Sequence, residues 1–258
     1  MIDVQTVLWR IFGGVVAVFM VSPLLILILF CFSESSLVTF PITGLTFDWF
    51  VQLFRKPAFW VALQNSLIVT GTVGLTSTVF GTMAAFALAR MRPSTAGVFL
   101  LFLTLPVMLP PLVLGVALLT YFSTVDIRLG LTTVILSHLV FTQPFVVLIV
   151  QARMIGFDYN IVRSARDLGA SPFKALFTVT LPIIRPTIIG AGMVAMALSV
   201  DDFIITFFTI GGGNTLPTFL WGMLRMGVNP SINIVATLIM MLTIAVCLIA
   251  LRVTRYRG

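Results

Sequence analysis

Charged residues are scarce in this chain: Asp, Glu, Lys and Arg make up 9% of its 258 residues, against about 25% in soluble proteins. Hydrophobic residues make up 59%, and the mean hydropathy is +1.16. This composition excludes a soluble domain and an intrinsically disordered chain. The two cysteines, Cys31 and Cys247, lie in separate apolar runs without a C-x-x-C partner, which excludes a disulfide scaffold and argues against a zinc site.

Long apolar runs take the place of the missing charges. A membrane-spanning helix needs about 20 apolar residues, and six segments meet that requirement. They are Ile11–Phe32, Leu63–Leu88, Gly97–Phe122, Leu131–Val150, Thr187–Ile210 and Ile232–Leu251. The first run is too long for the core of a signal peptide, so we interpret it as a permanent anchor. The sequence therefore predicts an all-α integral membrane protein with six transmembrane helices in a single domain, residues 1–258.

The basic residues predict its orientation. The formal net charge is +7, and cytoplasmic loops of membrane proteins carry an excess of Lys and Arg. With both termini in the cytoplasm, every basic residue falls on the inner side except Arg55, Lys56, Arg128 and Arg225. We therefore predict that both termini are cytoplasmic.

The inner loop at about residues 152–186 carries the clearest local signals. Asp158 can cap a first short helix, and Gly169 suits the left-handed residue that ends it. Ser171 and Pro172 then fit the N-cap and first position of a second helix, which Pro182 is expected to stop. The second helix places three apolar residues on one face, namely Phe173, Leu176 and Phe177. Such a face either docks a partner or folds back on its own domain.

This loop resembles the EAA loop of bacterial ABC-importer permeases. In the family pattern nine residues separate a Gly from an apolar residue, which is followed by one residue and then Leu-Pro, and Gly169, Val179 and Leu181-Pro182 match that spacing. The Glu-Ala-Ala triplet falls on Arg163-Ser164-Ala165, so only its last Ala is kept. The residues that the resemblance assigns to ATPase coupling are Ala165, Asp167, Gly169, Ala170, Ser171, Pro172, Phe173, Leu176, Phe177, Leu181 and Pro182.

The resemblance extends over nearly the whole chain. Ser199–Pro217 and Val228–Asn233 are similar to the polyamine-type subfamily, which includes the spermidine/putrescine permeases. It implies a type I importer (MetI-like) permease fold in the bacterial inner membrane. It also implies a second homologous permease subunit, two ATP-binding cassette subunits, a periplasmic solute-binding protein and the surrounding lipid bilayer as partners, with no nucleic acid.

The same resemblance implies that the chain is not an enzyme and binds no cofactor or metal of its own. ATP and Mg²⁺ would act on the partner ATPase. The residues agree, because a P-loop lysine follows a glycine, whereas Arg and Phe precede the only two lysines, Lys56 and Lys174.

Two adjacent acids lie deep in the fifth predicted span. A carboxylate inside the bilayer is costly and normally faces a cavity or a partner, so Asp201 and Asp202 are the candidate solute-pathway residues. Adjacent helical residues point about 100° apart, so at most one acid faces the pathway squarely, and we favour Asp202. The alternative is a structural pair, for example with Arg225 or Ser199. The lone histidine, His138, is expected to form hydrogen bonds between packed helices.

Several functions stay open at this point. Pro111 stands where polyamine permeases often have an acid, so the solute is a polyamine or related amine, or else an amino acid-like amine, opine or phosphonate. A non-transport assembly subunit is a remote alternative. The cytoplasmic elbow, which is the Gly169–Pro172 junction between the two short helices, could dock another protein. An intramembrane aspartyl protease is disfavoured, since two adjacent acids on one helix diverge.

Overall fold

The computed structural model describes residues 4–36, 39–42, 44–227 and 229–255, and these residues are predominantly helical. Within those ranges no β-strand forms, and a single antiparallel bridge joins Ser33 to Leu45. The helices are α1 (Val4–Phe30), α2 (Asp48–Phe54), α3 (Pro57–Leu88), α4 (Pro93–Met108), α5 (Pro111–Thr124), α6 (Leu131–Ile155), α7 (Tyr159–Asp167), α8 (Pro172–Ala175), α9 (Leu181–Asp201), α10 (Ile204–Thr209), α11 (Leu216–Met226) and α12 (Pro230–Arg255). A π-helical turn, Leu176–Thr180, joins α8 to α9. Val228, in the segment compared with the polyamine-type subfamily, lies outside the described residues.

The chain divides into two compact units. Unit 1 comprises Met1–Trp60 and Phe219–Met240, and unit 2 comprises Val61–Thr218 and Met241–Gly258. The residues predicted for coupling and for the solute pathway all lie in unit 2. The assignment of residues 1–258 to a single domain stays a prediction.

Among the described residues, five continuous helical segments are long and apolar enough to cross a membrane. They are Gln5–Phe30, Pro57–Leu88, Leu131–Ile155, Pro172–Asp201 and Pro230–Val253. The bent pair α4 and α5 makes a sixth if it is counted as one span. These helices confirm the prediction of an all-α protein with several spans, whereas the cytoplasmic location of the termini stays a prediction.

The third predicted span is not one continuous helix. Gly97–Phe122 divides into α4 and α5, whose axes are bent by 101°. Leu109 and Pro110 are extended between them, with ψ angles of 140° and 136°. Consecutive prolines explain the bend, because a proline disfavours the helical conformation of the residue before it. Pro111 then takes the first position of α5, where its missing N–H leaves no bond unmade.

The fifth predicted span also differs from expectation. Its helix, α9, ends at Asp201 rather than continuing to Ile210. Asp202 is extended (φ −69°, ψ 122°), and a new short helix, α10, begins at Ile204. The two acids therefore lie at a break in the helix.

The sequence predicted that Pro182 stops the second helix of the 152–186 loop, and in the structure it does not. The helix continues from α8 through the π turn into α9, and the Leu181 N–H donates to the Leu176 carbonyl, five residues back. A proline in a regular α-helix clashes with the carbonyl four residues earlier. The wider π turn moves that carbonyl aside, so the chain passes Pro182 without breaking.

The core of unit 2 forms where α6 packs along α9. Its buried side chains are mostly small or β-branched, including Val146, Val150, Ala191 and Ala195. The Ser77 and Thr142 hydroxyls lie 2.9 Å apart between α3 and α6, which satisfies both groups away from water. Small residues and interhelical hydroxyl bonds are the usual means of packing helices in a membrane.

Unit 1 contains a chain of aromatic contacts around α2. The Phe54 ring lies 5.6 Å from Phe59 and 5.9 Å from Trp60, measured between ring centroids. The indole N–H of Trp60 donates to the Phe54 carbonyl at 2.8 Å, and that of Trp49 donates to the Ser33 carbonyl at 2.9 Å.

Both cysteines are free thiols. Cys31 is buried and Cys247 is exposed.

Candidate functional site

The break between α9 and α10 opens onto a cavity of about 740 Å³ in unit 2. Its lining includes both acids together with Pro111, Phe141, Leu198 and Cys247. Pro111 begins α5, so the bends of the third and fifth spans meet at this cavity. Non-helical backbone at membrane depth is tolerated where it is buried in protein or lines a wet cavity, and broken helices are where transporters bind their solutes.

The Asp202 carboxylate is bound within the protein. Its Oδ2 accepts the Thr206 N–H at 2.8 Å and the Thr206 hydroxyl at 3.0 Å. The same oxygen lies 3.3 Å from Nε2 of His138. Only 12% of the Asp202 side chain is exposed, so most of this acid is covered by protein although it borders the cavity.

His138 forms hydrogen bonds between packed helices, as predicted. Its Nδ1 lies 2.8 Å from the Ser199 hydroxyl on α9, and its Nε2 lies 2.9 Å from the Thr206 hydroxyl on α10. The ring is 1% exposed. Ser199 was a possible structural partner of an acid. Among the described residues it contacts His138, and His138 in turn contacts Asp202.

Asp201 differs from its neighbour because its side chain is exposed. Within residues 4–36, 39–42, 44–227 and 229–255, no side chain forms a hydrogen bond or ion pair with its carboxylate. Helical geometry turns adjacent side chains about 100° apart, which explains why one acid faces inward and the other outward. The assignment of both acids to the solute pathway, with a preference for Asp202, stays a prediction, and of the two it is Asp201 whose side chain is exposed.

Thr206 is the site residue to which the sequence assigned no role beside the acids, whereas Ser199 was considered only as a structural partner of an acid. A signal was present, since Ser199, Asp202 and Thr206 follow the i, i+3, i+7 spacing of one helix face in an otherwise apolar run. Nothing in the spacing indicated that His138 would meet that face, because α6 lies more than 60 residues earlier in the chain.

The elbow of the 152–186 loop has the predicted local structure. The Asp158 side chain accepts the Asn160 N–H, so it caps α7. Gly169 has a φ of +90°, in the left-handed region. The Ser171 hydroxyl accepts the Lys174 N–H at 3.3 Å, and Pro172 takes the first position of α8.

The predicted apolar face is only partly exposed. Phe173 is 77% exposed and Phe177 is 64% exposed, whereas Leu176 is half-buried. The other candidate coupling residues also include both exposed and half-buried side chains. Asp167, Gly169, Ser171, Pro172 and Pro182 are exposed, and Ala165, Ala170 and Leu181 are half-buried. An open cleft of about 430 Å³ beside the elbow is lined by Arg163, Arg166 and Asp167 together with residues 169–172.

Comparison with known proteins adds sequence relatives. The family described as "Binding-protein-dependent transport system inner membrane component" matches residues 77–256. The putrescine transport system permease protein PotI of Escherichia coli (strain K12) is 35% identical over 230 residues, which cover 86% of this chain and 82% of PotI. The spermidine/putrescine transport system permease protein PotC of the same strain is 32% identical over 240 residues, covering 90% and 88% of the two chains.

Solved structures share the fold at lower identity. A bacterial ABC transporter for import of the acidic polysaccharide alginate superposes with a TM-score of 0.76 at 12% identity, covering 96% of both chains. The MetNI methionine ABC transporter, in an inward-facing conformation, superposes with a TM-score of 0.65 at 20% identity, covering 79% of this chain and 99% of that one. These two likenesses confirm the MetI-like permease fold expected from the sequence.

Proposed function

The chain belongs to the family of binding-protein-dependent transport system inner membrane components, and from that membership we propose that it forms one half of the translocation pathway of an ATP-driven importer for a polyamine or related small amine. The similar permeases PotI and PotC are named for putrescine and spermidine transport. The observation in this chain that carries the solute class is the exposed carboxylate of Asp201, which has no bonded partner among the described residues and lies in a largely apolar cavity.

A cationic solute fits this cavity better than a neutral or anionic one. A carboxylate at membrane depth costs about 2.5–3.5 kcal/mol on insertion scales, and an ammonium group that pairs with it offsets that cost. The methylene chain of an aliphatic amine can lie on the apolar part of the lining, such as Phe141 and Leu198. A phosphonate would meet a like charge there, which disfavours one of the alternatives.

This half of the pathway receives a single ammonium group. The Asp202 carboxylate is already bound by Thr206 and His138, so of the two acids in the described lining of the cavity it is Asp201 that is available to the solute. The remaining ammonium groups of a di- or polyamine are then bound by the second, homologous permease subunit. Pro111, the first residue of α5, agrees with this sharing of ammonium groups between the two subunits, since it supplies no acid where polyamine permeases often have one.

The elbow couples ATP hydrolysis on the partner subunit to transport. Phe173 and Phe177 project from it into the surroundings, and an exposed aromatic pair on a short helix suits the groove of a partner ATPase. Leu176 supports them from the half-buried side. The complete importer then comprises two permease subunits, two ATP-binding cassette subunits that hydrolyse ATP with Mg²⁺, and a periplasmic solute-binding protein, in the bacterial inner membrane.

The native cysteines provide a direct test of the solute. Cys247 lines the cavity and is exposed, whereas Cys31 is 2% exposed and serves as an internal control. We expect a cationic methanethiosulfonate reagent to modify Cys247 in the assembled importer, and saturating putrescine or spermidine to slow that reaction. Uptake of the same amines into proteoliposomes should require ATP. Protection by a phosphonate or an amino acid in place of the amines, with matching uptake, would refute the polyamine assignment.

A further inference from the structure

One buried cluster joins both sides of the helix break to a third helix. His138 on α6 contacts Ser199 before the break, Asp202 within it and Thr206 after it. All three contacts are 3.3 Å or shorter. The cluster takes no part in binding a solute in the proposed function, because its members are bonded to one another.

The direction of the hydrogen bonds follows from the donors available. The Thr206 hydroxyl has one hydrogen, which it donates to Asp202, through the carboxylate at 3.0 Å or the backbone carbonyl at 3.1 Å. Nε2 of His138 lies 2.9 Å from the Thr206 oxygen and 3.3 Å from the Asp202 carboxylate, so we assign to the ring the tautomer that carries its proton on Nε2. In the neutral ring Nδ1 then accepts the Ser199 hydroxyl. Nε2–H is the donor that α6 contributes to the Asp202–Thr206 side of the cluster, beside the N–H and hydroxyl of Thr206.

We propose that His138 is a positioning residue for the solute pathway, which fixes Asp202 facing inward and thereby turns Asp201 toward the cavity. The proposal rests on the role assigned above to Asp201. The two acids are adjacent at the end of α9, so the direction of one side chain sets the direction of the other. Asp202 itself lies outside both helices, and the Nε2–H of His138 adds a contact from α6 to the hydrogen bonds that Asp202 accepts from Thr206.

Two amide substitutions separate this role from simple packing. In a His138→Gln variant the side-chain amide can reach the place of Nε2 and keep a donor to Asp202 and Thr206. In a His138→Asn variant the shorter amide reaches only the place of Nδ1, which keeps Ser199 and loses that donor. We expect the Asn variant to raise the apparent KM for putrescine about tenfold, as for the loss of one hydrogen bond to a charged group, with kcat and membrane levels little changed. The Gln variant should stay within about threefold of the native importer.

A second readout does not depend on the solute. An Asp201→Cys variant in a Cys247→Ser background leaves one exposed cysteine, at the position in question, because Cys31 is buried. We expect a cationic methanethiosulfonate reagent to modify position 201 rapidly with His or Gln at position 138, and at least about fivefold more slowly with Asn there.

The two readouts distinguish failure of this proposal from failure of the proposed function. Equal labelling rates at position 201 in the Gln and Asn variants would overturn the positioning role, whatever the uptake results. Absence of amine uptake in the native importer, together with the expected difference in labelling, would overturn the polyamine assignment and retain the positioning role. Equal loss of assembled protein in both variants would reduce His138 to a packing residue.

Discussion

Neutralising the two adjacent acids separately should give opposite kinds of defect. The Asp201 carboxylate is exposed to the cavity and unpaired among the described residues, whereas the Asp202 carboxylate accepts two hydrogen bonds from Thr206 and faces His138. The substitutions Asp201→Asn and Asp202→Asn change the same atoms at neighbouring positions. Each is therefore the matched control for the other.

The size of the Asp201→Asn effect follows from one lost charge-assisted bond. A hydrogen bond to a charged group contributes about 1.5–3 kcal/mol, and about 1.4 kcal/mol corresponds to a factor of ten. The apparent KM for an amine should therefore rise roughly 10- to 150-fold. Because the residue has no bonded partner in the described chain, assembly and basal ATPase activity should stay near native levels.

The Asp202→Asn variant should lose stability first. An amide has one acceptor oxygen where the carboxylate has two, and it introduces two N–H donors beside the Thr206 and His138 donors. A buried donor left without an acceptor costs about 1–3 kcal/mol. We expect less assembled complex and a lower unfolding temperature, with a modest change in KM for the complex that does form.

Uptake of radiolabelled putrescine and ATPase activity in proteoliposomes, normalised to assembled complex, measure both effects. Thermal unfolding of the purified complex measures the second. A normal KM in the Asp201→Asn variant together with a strongly raised KM and native stability in the Asp202→Asn variant would refute the division of roles and return the pathway to Asp202.

Three further predictions concern the elbow and the topology. Gly169→Val should leave the chain inserted but uncouple ATP hydrolysis from uptake, because valine resists a φ of +90°, whereas Gly156→Val, at a φ of −89° and with equally open surroundings, should transport nearly normally. Normal uptake by both variants would show that the elbow geometry is unimportant. Phe173→Ala should weaken binding of the ATPase subunit by about 2 kcal/mol or more in a pull-down titration, as expected for an aromatic anchor, and unchanged binding would exclude this ring from the contact. Reporter fusions after Gly212 should indicate the periplasm and those after Asp167 the cytosol, and the reverse pattern would contradict the predicted orientation.

Composition and local chemistry determined the outline of this protein. The long apolar runs specified a helical membrane protein, because backbone groups inside a bilayer must bond within their own segment. The elbow was equally predictable. Asp158, Gly169, Ser171 and Pro172 each act on backbone groups within a few residues, so their structure does not depend on the rest of the fold.

Other features depended on contacts that the sequence order does not reveal. Hydropathy could not distinguish a straight span from a bent one, so the 101° bend between α4 and α5 appeared only in the structure. Pro182 looked like a helix stop because the π turn that accommodates it is a change of helical register with no clear residue signature.

The surroundings of the two acids were decided by tertiary structure alone. Asp201 and Asp202 are chemically identical neighbours, and either could have faced the cavity. The choice follows from His138, more than 60 residues earlier in the chain, which α6 brings within 3.3 Å of the Asp202 carboxylate. A buried carboxylate stays where donors converge on it, so the acid that meets those donors is bound within the protein and its neighbour is left exposed at the cavity.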